Sequence, residues 1–381
     1  MIRKSFDVLS EGRANNFDFL RFFFATCVIF SHSFAVLYNG SWFAEDPLNH
    51  LTNNQTAFGG TAVDGFFLIS GFLITKSWER SKSVHDYATK RILRILPALI
   101  AVLLFTVFVV GPLGTNRSLA SYFHNPRTFA YFGFMGTVNL HLHDQLPGVF
   151  THNPIRWRVN GSLWTIRCEV ICYILVAILG LLRVYRRPAF VLLASVAAVG
   201  MMAGGAKHLV GLGEFADSFR VLVYFLCGMA FYLYRRSIPH SPPLLLLSLG
   251  GLIVSDLVGV LAYTLPLLGT YVLFYAAFSA RLPLQNFARY GDFSYGLYLY
   301  AFPIQQLMVS YFRSAWNAGT LTLATFLIAG ICAVLSWHMV EKPFLMRKPK
   351  QEKRLDAISG FQPATQFSET SAEPEISGMS T

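Results

Sequence analysis

Residues 17–38 read FDFLRFFFATCVIFSHSFAVLY, an apolar and aromatic run broken by only three ionisable side chains, Asp18, Arg21 and His32. From Phe19 to Tyr38 it is long enough, at ~1.5 Å per residue, to cross a ~30 Å hydrocarbon core as a helix. Similar runs occupy 57–77, 95–114, 162–182, 189–206, 218–234, 243–262, 264–280, 293–312 and 319–340. The 381 residues are 54% hydrophobic and only 13% charged, a balance foreign to a water-soluble domain of this length. Runs this long also exclude a closed barrel, whose strands are half the length. The expectation is an all-α, polytopic transmembrane helical bundle of about ten spans.

The formal charge of +11 is carried by short clusters between apolar runs: Arg80, Lys82, Lys90, Arg91 and Arg94; Arg183, Arg186 and Arg187; Arg235 and Arg236; Arg347, Lys348 and Lys350. With both termini cytoplasmic, these clusters fall inside, as the positive-inside rule requires, so the excess is explained by orientation and no nucleic acid is expected. The first run contains Arg21 and His32 and lacks a small-residue cleavage site, so it reads as a retained span rather than a signal peptide. The expected organisation is a cytoplasmic segment 1–18, a membrane domain 19–345 and a disordered, cytoplasmic tail 346–381 rich in Lys, Glu, Ser and Pro. Segment 79–94 has the spacing of an interfacial helix that ends before Pro97 starts the next span. Segment 128–142, apolar but short, is placed at the outer interface within an external loop 111–161. That loop holds His124, His141, His143, His152, Arg156, Trp157 and Arg158, which suit either a hydroxyl-rich ligand or an ordinary aromatic and basic interface. Cys27, Cys168, Cys172, Cys227 and Cys332 all lie in apolar runs without metal-ligand spacing, so neither a metal site nor a disulfide framework is expected.

Ionisable groups inside spans are costly and mark functional positions. Arg21 and His32, eleven residues apart, share one helix face at ~16 Å separation. Arg21, within about a turn of the cytoplasmic end beside Asp18, is placed either to bind an anionic donor or to snorkel. His32 lies past the midplane as a candidate general base. Depth counting puts Glu169 and Asp64 near the level of His32, where either acid would orient the imidazole; the alternative for Glu169 is an ion pair with Arg167. Ser70 and Gly71 in FFLISGF (66–72) offer close helix packing or a narrow passage for a thin ligand. No Walker-type loop, HExxH or GxSxG sequence is present.

Several segments together, over about residues 15–347, resemble the membrane acyltransferase 3 family: FDFLRFFFATCVIFSH with its Arg-x10-His pattern, VDGFFLISGFLIT, KRILRILPAL, GSLWTIRCEVICYIL, FSYGLYLYAFPIQQ and VEKPF. The resemblance implies a bacterial inner-membrane O-acyltransferase acting on an envelope or exported carbohydrate, lipopolysaccharide included. It also implies acyl-CoA, by default acetyl-CoA, as donor substrate, with no permanently bound cofactor. On that reading Arg21, Asp18, Ser70, Lys90, Arg91 and Arg94 hold the donor, and His32, with Glu169 and Asp64, performs the chemistry. The imidazole would either deprotonate the acceptor or carry the acyl group. Two departures stand out: Ala301 where many relatives carry histidine, and Arg167 two residues before Glu169, a cation that leaves succinyl transfer open. The rival class is a transporter or flippase of a lipid-linked or acidic sugar, which would move its substrate without covalent change.

Overall fold

A computed structural model describes residues 5–11, 15–38, 45–136, 145–203, 216–280, 282 and 284–346. The helices are α1 (Phe6–Glu11), α2 (Phe17–Leu37), α3 (Pro47–Leu51), α4 (Phe58–Glu79), α5 (Val84–Gly114), α6 (Leu119–Phe123), α7 (Pro126–Ala130), α8 (Trp164–Leu181), α9 (Pro188–Ala203), α10 (Ala216–Tyr234), α11 (Pro242–Leu257), α12 (Leu261–Ala277), α13 (Ser294–Phe312) and α14 (Ala318–Met346). Among the described residues there is no strand, only the isolated bridges Ser5–Pro239 and Thr115–Val149. In its described residues each run expected to span overlaps one or two of these helices, and α2, α4, α5, α8, α10 and α14 are long and apolar enough to cross a membrane. The proposed tail lies, from residue 347, outside the described residues, as do His141 and His143.

Two expectations are corrected. Segment 79–94 is not a separate interfacial helix: Ser83 caps α5 by accepting from the Asp86 N–H, and the helix runs on through Pro97. Proline interrupts one backbone bond but does not end a helix whose neighbours hold it in place. A π-turn at Thr106–Val110 then re-aims α5, and the Tyr122 hydroxyl donates to the Val107 carbonyl freed there. Nor is 111–161 a surface loop throughout. Val149, Phe150, Val159 and Asn160 are buried, and the chain leading into α8 runs alongside α13. Gln306 holds it there: its Nε2 donates to the Ile155 and Arg158 carbonyls, while its Oε1 and its own carbonyl accept from Asn153 Nδ2. Asn160 Nδ2 donates to the Leu299 carbonyl two turns further down.

The closest helix contact is between α4 and α10. A Cβ added to Gly71 would sit 2.1 Å from the Phe225 carbonyl oxygen, and one added to Gly228 would sit 2.1 Å from that of Leu68. Gly71 in FFLISGF therefore serves close packing, the van der Waals attraction that joins helices where lipid removes the hydrophobic drive. Beside it Phe17, Phe72, Phe231, Phe274 and Phe278 form an aromatic cluster onto which Phe6 anchors α1. Gly71→Ala or Gly228→Ala is expected to destabilise the detergent-purified protein by ~1–3 kcal/mol through overpacking. Gly250→Ala, where an added Cβ meets nothing within 4 Å, is the control that should leave the melting temperature in place or raise it.

Candidate active site

One face of α13 organises the interior. Tyr295, Tyr298, Phe302 and Gln305 recur at i, i+3, i+7 and i+10, a single helical stripe, and each meets a different part of the site.

At Tyr295 the Arg94 guanidinium lies 5.7 Å from the ring centroid and pairs with the Asp292 carboxylate. Arg21, 4.0 Å from Asp18, stands in the electrostatic reach of Asp292. Glu341, brought inward by the π-turn Trp337–Glu341 and held by the Ser336 hydroxyl, faces Arg94 and Asp292. Three carboxylates thus surround two guanidiniums contributed by α2 and α5. Asp292 precedes α13; burial alone would raise its carboxyl, but Arg94 foremost, then Arg21 and the Ser294 hydroxyl, bring it down to about 2. Its share of the ion pair is complete above the ordinary carboxylate range and is lost only as pH falls through about 2, so the pair stays closed at every physiological pH.

Arg91 adjoins this cluster, donating from Nη2 to Ser77 Oγ at 3.2 Å and lying over the Tyr173 ring. Ser70 lies on α4 one turn beyond Phe66, whose ring packs on Tyr298, and two turns before Ser77. Lys90 pairs instead with Asp86 of its own helix at 3.0 Å.

At the other end of the stripe Phe302 packs edge-on against the His32 ring, centroids 5.2 Å apart. Gln305 Nε2 donates to the Ile29 carbonyl and Ser33 Oγ, fixing the α2 backbone on either side of His32. The Ser31 hydroxyl bonds Asp46, which also accepts from the Leu48 and Phe58 N–H groups and so ties α3 and α4 to this end of α2.

The two acids expected beside His32 lie elsewhere. Asp64 receives the Arg220 guanidinium at 3.0 Å, within reach of Tyr224, on the α4–α10 seam. Glu169 accepts from the Tyr173 hydroxyl and faces Tyr295 and Tyr298, the guanidinium end of the stripe. Seven residues of α13 separate Tyr295 from Phe302, ~10 Å along the axis. Depth counting misplaced Glu169 because the chain before α8 enters the bundle unwound, so α8 starts well inside it. The sequence reading also missed Arg220, Asp292 and Glu341. Arg220 is a charge inside an apolar run like the others, while Asp292 and Glu341 lie in or directly beside motif segments and needed the fold to show them facing Arg94.

Comparison with known proteins places the chain in a family. The family described as an acyltransferase domain matches residues 15–337. An O-acetyl transferase of Shigella phage Sf6 is 29% identical, covering 88% of this chain and 97% of its own length. Nodulation protein 10 of Rhizobium leguminosarum bv. viciae is 30% identical, with 88% and 94% covered. No solved structure matches. The chain belongs to the acyltransferase 3 family; it is a membrane acyltransferase that transfers groups other than aminoacyl groups.

The Asp64–Arg220 pair is expected to act in stability rather than chemistry. Asp64→Ala should cost less than the ~3–5 kcal/mol of a wholly uncompensated buried charge, because the partly buried Arg220 guanidinium keeps the exposed Asp217 at 3.6 Å, whereas Asp64→Leu combined with Arg220→Met should recover most of the loss in the same melt.

Proposed function

We propose that this protein takes an acyl group, by default acetyl, from cytoplasmic acyl-CoA and places it on a hydroxyl of an envelope or exported carbohydrate. In this reading all ten apolar helices cross the inner membrane, with both termini cytoplasmic, so that the basic clusters fall inside. The observation that carries the proposal is the α13 stripe, with two guanidiniums at one end and an imidazole at the other. Phosphates suit the first end, since arginine forks match them bidentately. An imidazole at the second suits proton transfer near neutral pH.

Arg94 is already paired with Asp292, so the donor's phosphates would bind by exchange for that carboxylate. The thioester then extends along the stripe to His32. In direct transfer the acceptor oxygen attacks the thioester carbonyl carbon, the C–O bond forms and the C–S bond breaks. The hydroxyl proton passes to the imidazole and on to the departing thiolate. An acyl-imidazole route would use the same residues. The relatives' names support O-acyl transfer: one is called an O-acetyl transferase.

The test is the acyl-ester content of purified envelope glycans from cells expressing equal amounts of wild type, His32→Ala, Arg21→Ala and Arg94→Ala. Ester should fall at least ~100-fold in His32→Ala, the scale of one general base. The arginine variants should lose ester in a way that excess acyl-CoA restores in membrane preparations. Unchanged ester in His32→Ala would overturn the mechanism and favour transport without covalent change.

A further inference from the structure

Helix α8 begins inside the protein, and its beginning is open. Ser162, Leu163 and Thr165 are all buried, and the helix has no side-chain N-cap. Among the described residues the N–H groups of Leu163, Trp164 and Thr165 have one acceptor between them, the Asn160 carbonyl that closes the 161–163 turn, and the next pairing is that of Ile166 on the Leu163 carbonyl. Elsewhere a helix start satisfies such donors with a cap or with water.

Ser162 supplies a second observation. Its N–H donates to Asn160 Oδ1, and its carbonyl accepts from the Thr165 and Tyr298 hydroxyls. Its own hydroxyl is fully buried and has no partner among the described residues. A donor hydroxyl and unpaired first-turn N–H groups in one low-dielectric place call for an acceptor oxygen from outside the protein.

The level of this place says which one. Tyr298, which holds Ser162 and Thr165, lies on the α13 stripe between Tyr295 at the guanidinium end and Phe302 at His32. Those steps rise ~4.5 and ~6 Å along the helix. Any donor whose phosphates rest near Arg94 and whose thioester reaches His32 passes the start of α8 with its connecting arm. In acyl-CoA that arm is pantetheine, a thin chain with two amide carbonyls.

We propose that the start of α8, with the Ser162 hydroxyl and the open first-turn N–H groups, binds an amide carbonyl of the donor's pantetheine arm. It is a midway station that aligns the thioester with His32. The inference rests on acyl-CoA being the donor. Its chemistry is neutral hydrogen bonding, so it selects the arm and not the nucleotide.

The experiment uses the purified full-length protein in lipid nanodiscs, with acetyl-CoA consumption as the assay and two fragments as competitive inhibitors. Pantetheine carries the arm alone, and adenosine 3′,5′-bisphosphate carries the phosphates alone. Ser162→Ala should weaken inhibition by pantetheine about fivefold, the scale of one net hydrogen bond, and leave the bisphosphate's inhibition constant unchanged. Arg94→Ala should do the reverse. Pantetheine inhibition unchanged in Ser162→Ala means that water alone occupies the site and overturns the inference, while wild-type consumption of acetyl-CoA leaves the donor reading standing. Equal weakening of both fragments also overturns it, as a general loosening of the bundle. If the wild type does not consume acetyl-CoA, the donor reading itself fails, and this inference with it.

Discussion

The side-chain amide of Gln306 is the joint on which the interior depends. Apolar surroundings admit non-helical backbone only where protein satisfies its polar groups. The chain before α8 meets that condition through one fully buried glutamine, which serves two carbonyls and one asparagine, and through Asn160, bonded two helical turns away. With its hydrogen bonds supplied, this stretch lies among the helices, and α8 can start beside Tyr298 instead of at a surface. The position of Glu169, its separation from His32 and the exposure of the α8 N-terminus to the interior all follow from that.

The α13 stripe then works as a ruler. Its residues are aromatic or amide, so it carries no charge of its own, yet it sorts the charged residues of other helices by height. Arg94 of α5 meets Tyr295, Thr165 of α8 meets Tyr298, His32 of α2 meets Phe302, and the backbone around His32 meets Gln305. A rigid helix suits this task, because a reacting chain held at two ends tolerates little error in their spacing.

Much of the scaffold was legible in the sequence because hydrophobic run length is a direct consequence of bilayer thickness, and each predicted span, in its described residues, overlaps one or two helices. Arg21 and His32 were legible for a similar reason: both sit on one continuous helix, where residue count converts to height and face. Asp64 and Glu169 were not. Asp64 pairs with Arg220, 156 residues away in sequence, and sequence distance says nothing of such pairing. Glu169 was counted from a surface its helix does not reach. Pro97 misled for a local reason, since proline as a helix breaker is a rule for water, where nothing replaces the lost bond.

Around Arg21 and Arg94 the balance of charge shapes how a donor can bind. Two bare guanidiniums in a partly dry cavity would cost several kcal/mol each, and Asp18, Asp292 and Glu341 remove that penalty when no substrate is present. An anionic donor therefore gains only the difference between phosphate and carboxylate as partners, not the full strength of an arginine–phosphate contact. On the proposed acyl-CoA reading, binding by exchange keeps affinity moderate, and the same carboxylates would displace the spent nucleotide. Since Asp292 stays ionised at any physiological pH, the Arg94–Asp292 pair opens by competition rather than by protonation of Asp292. If the donor is acyl-CoA, as proposed, its polyanionic product must leave an apolar surrounding at every turnover, and competing anions carried within the fold serve that release.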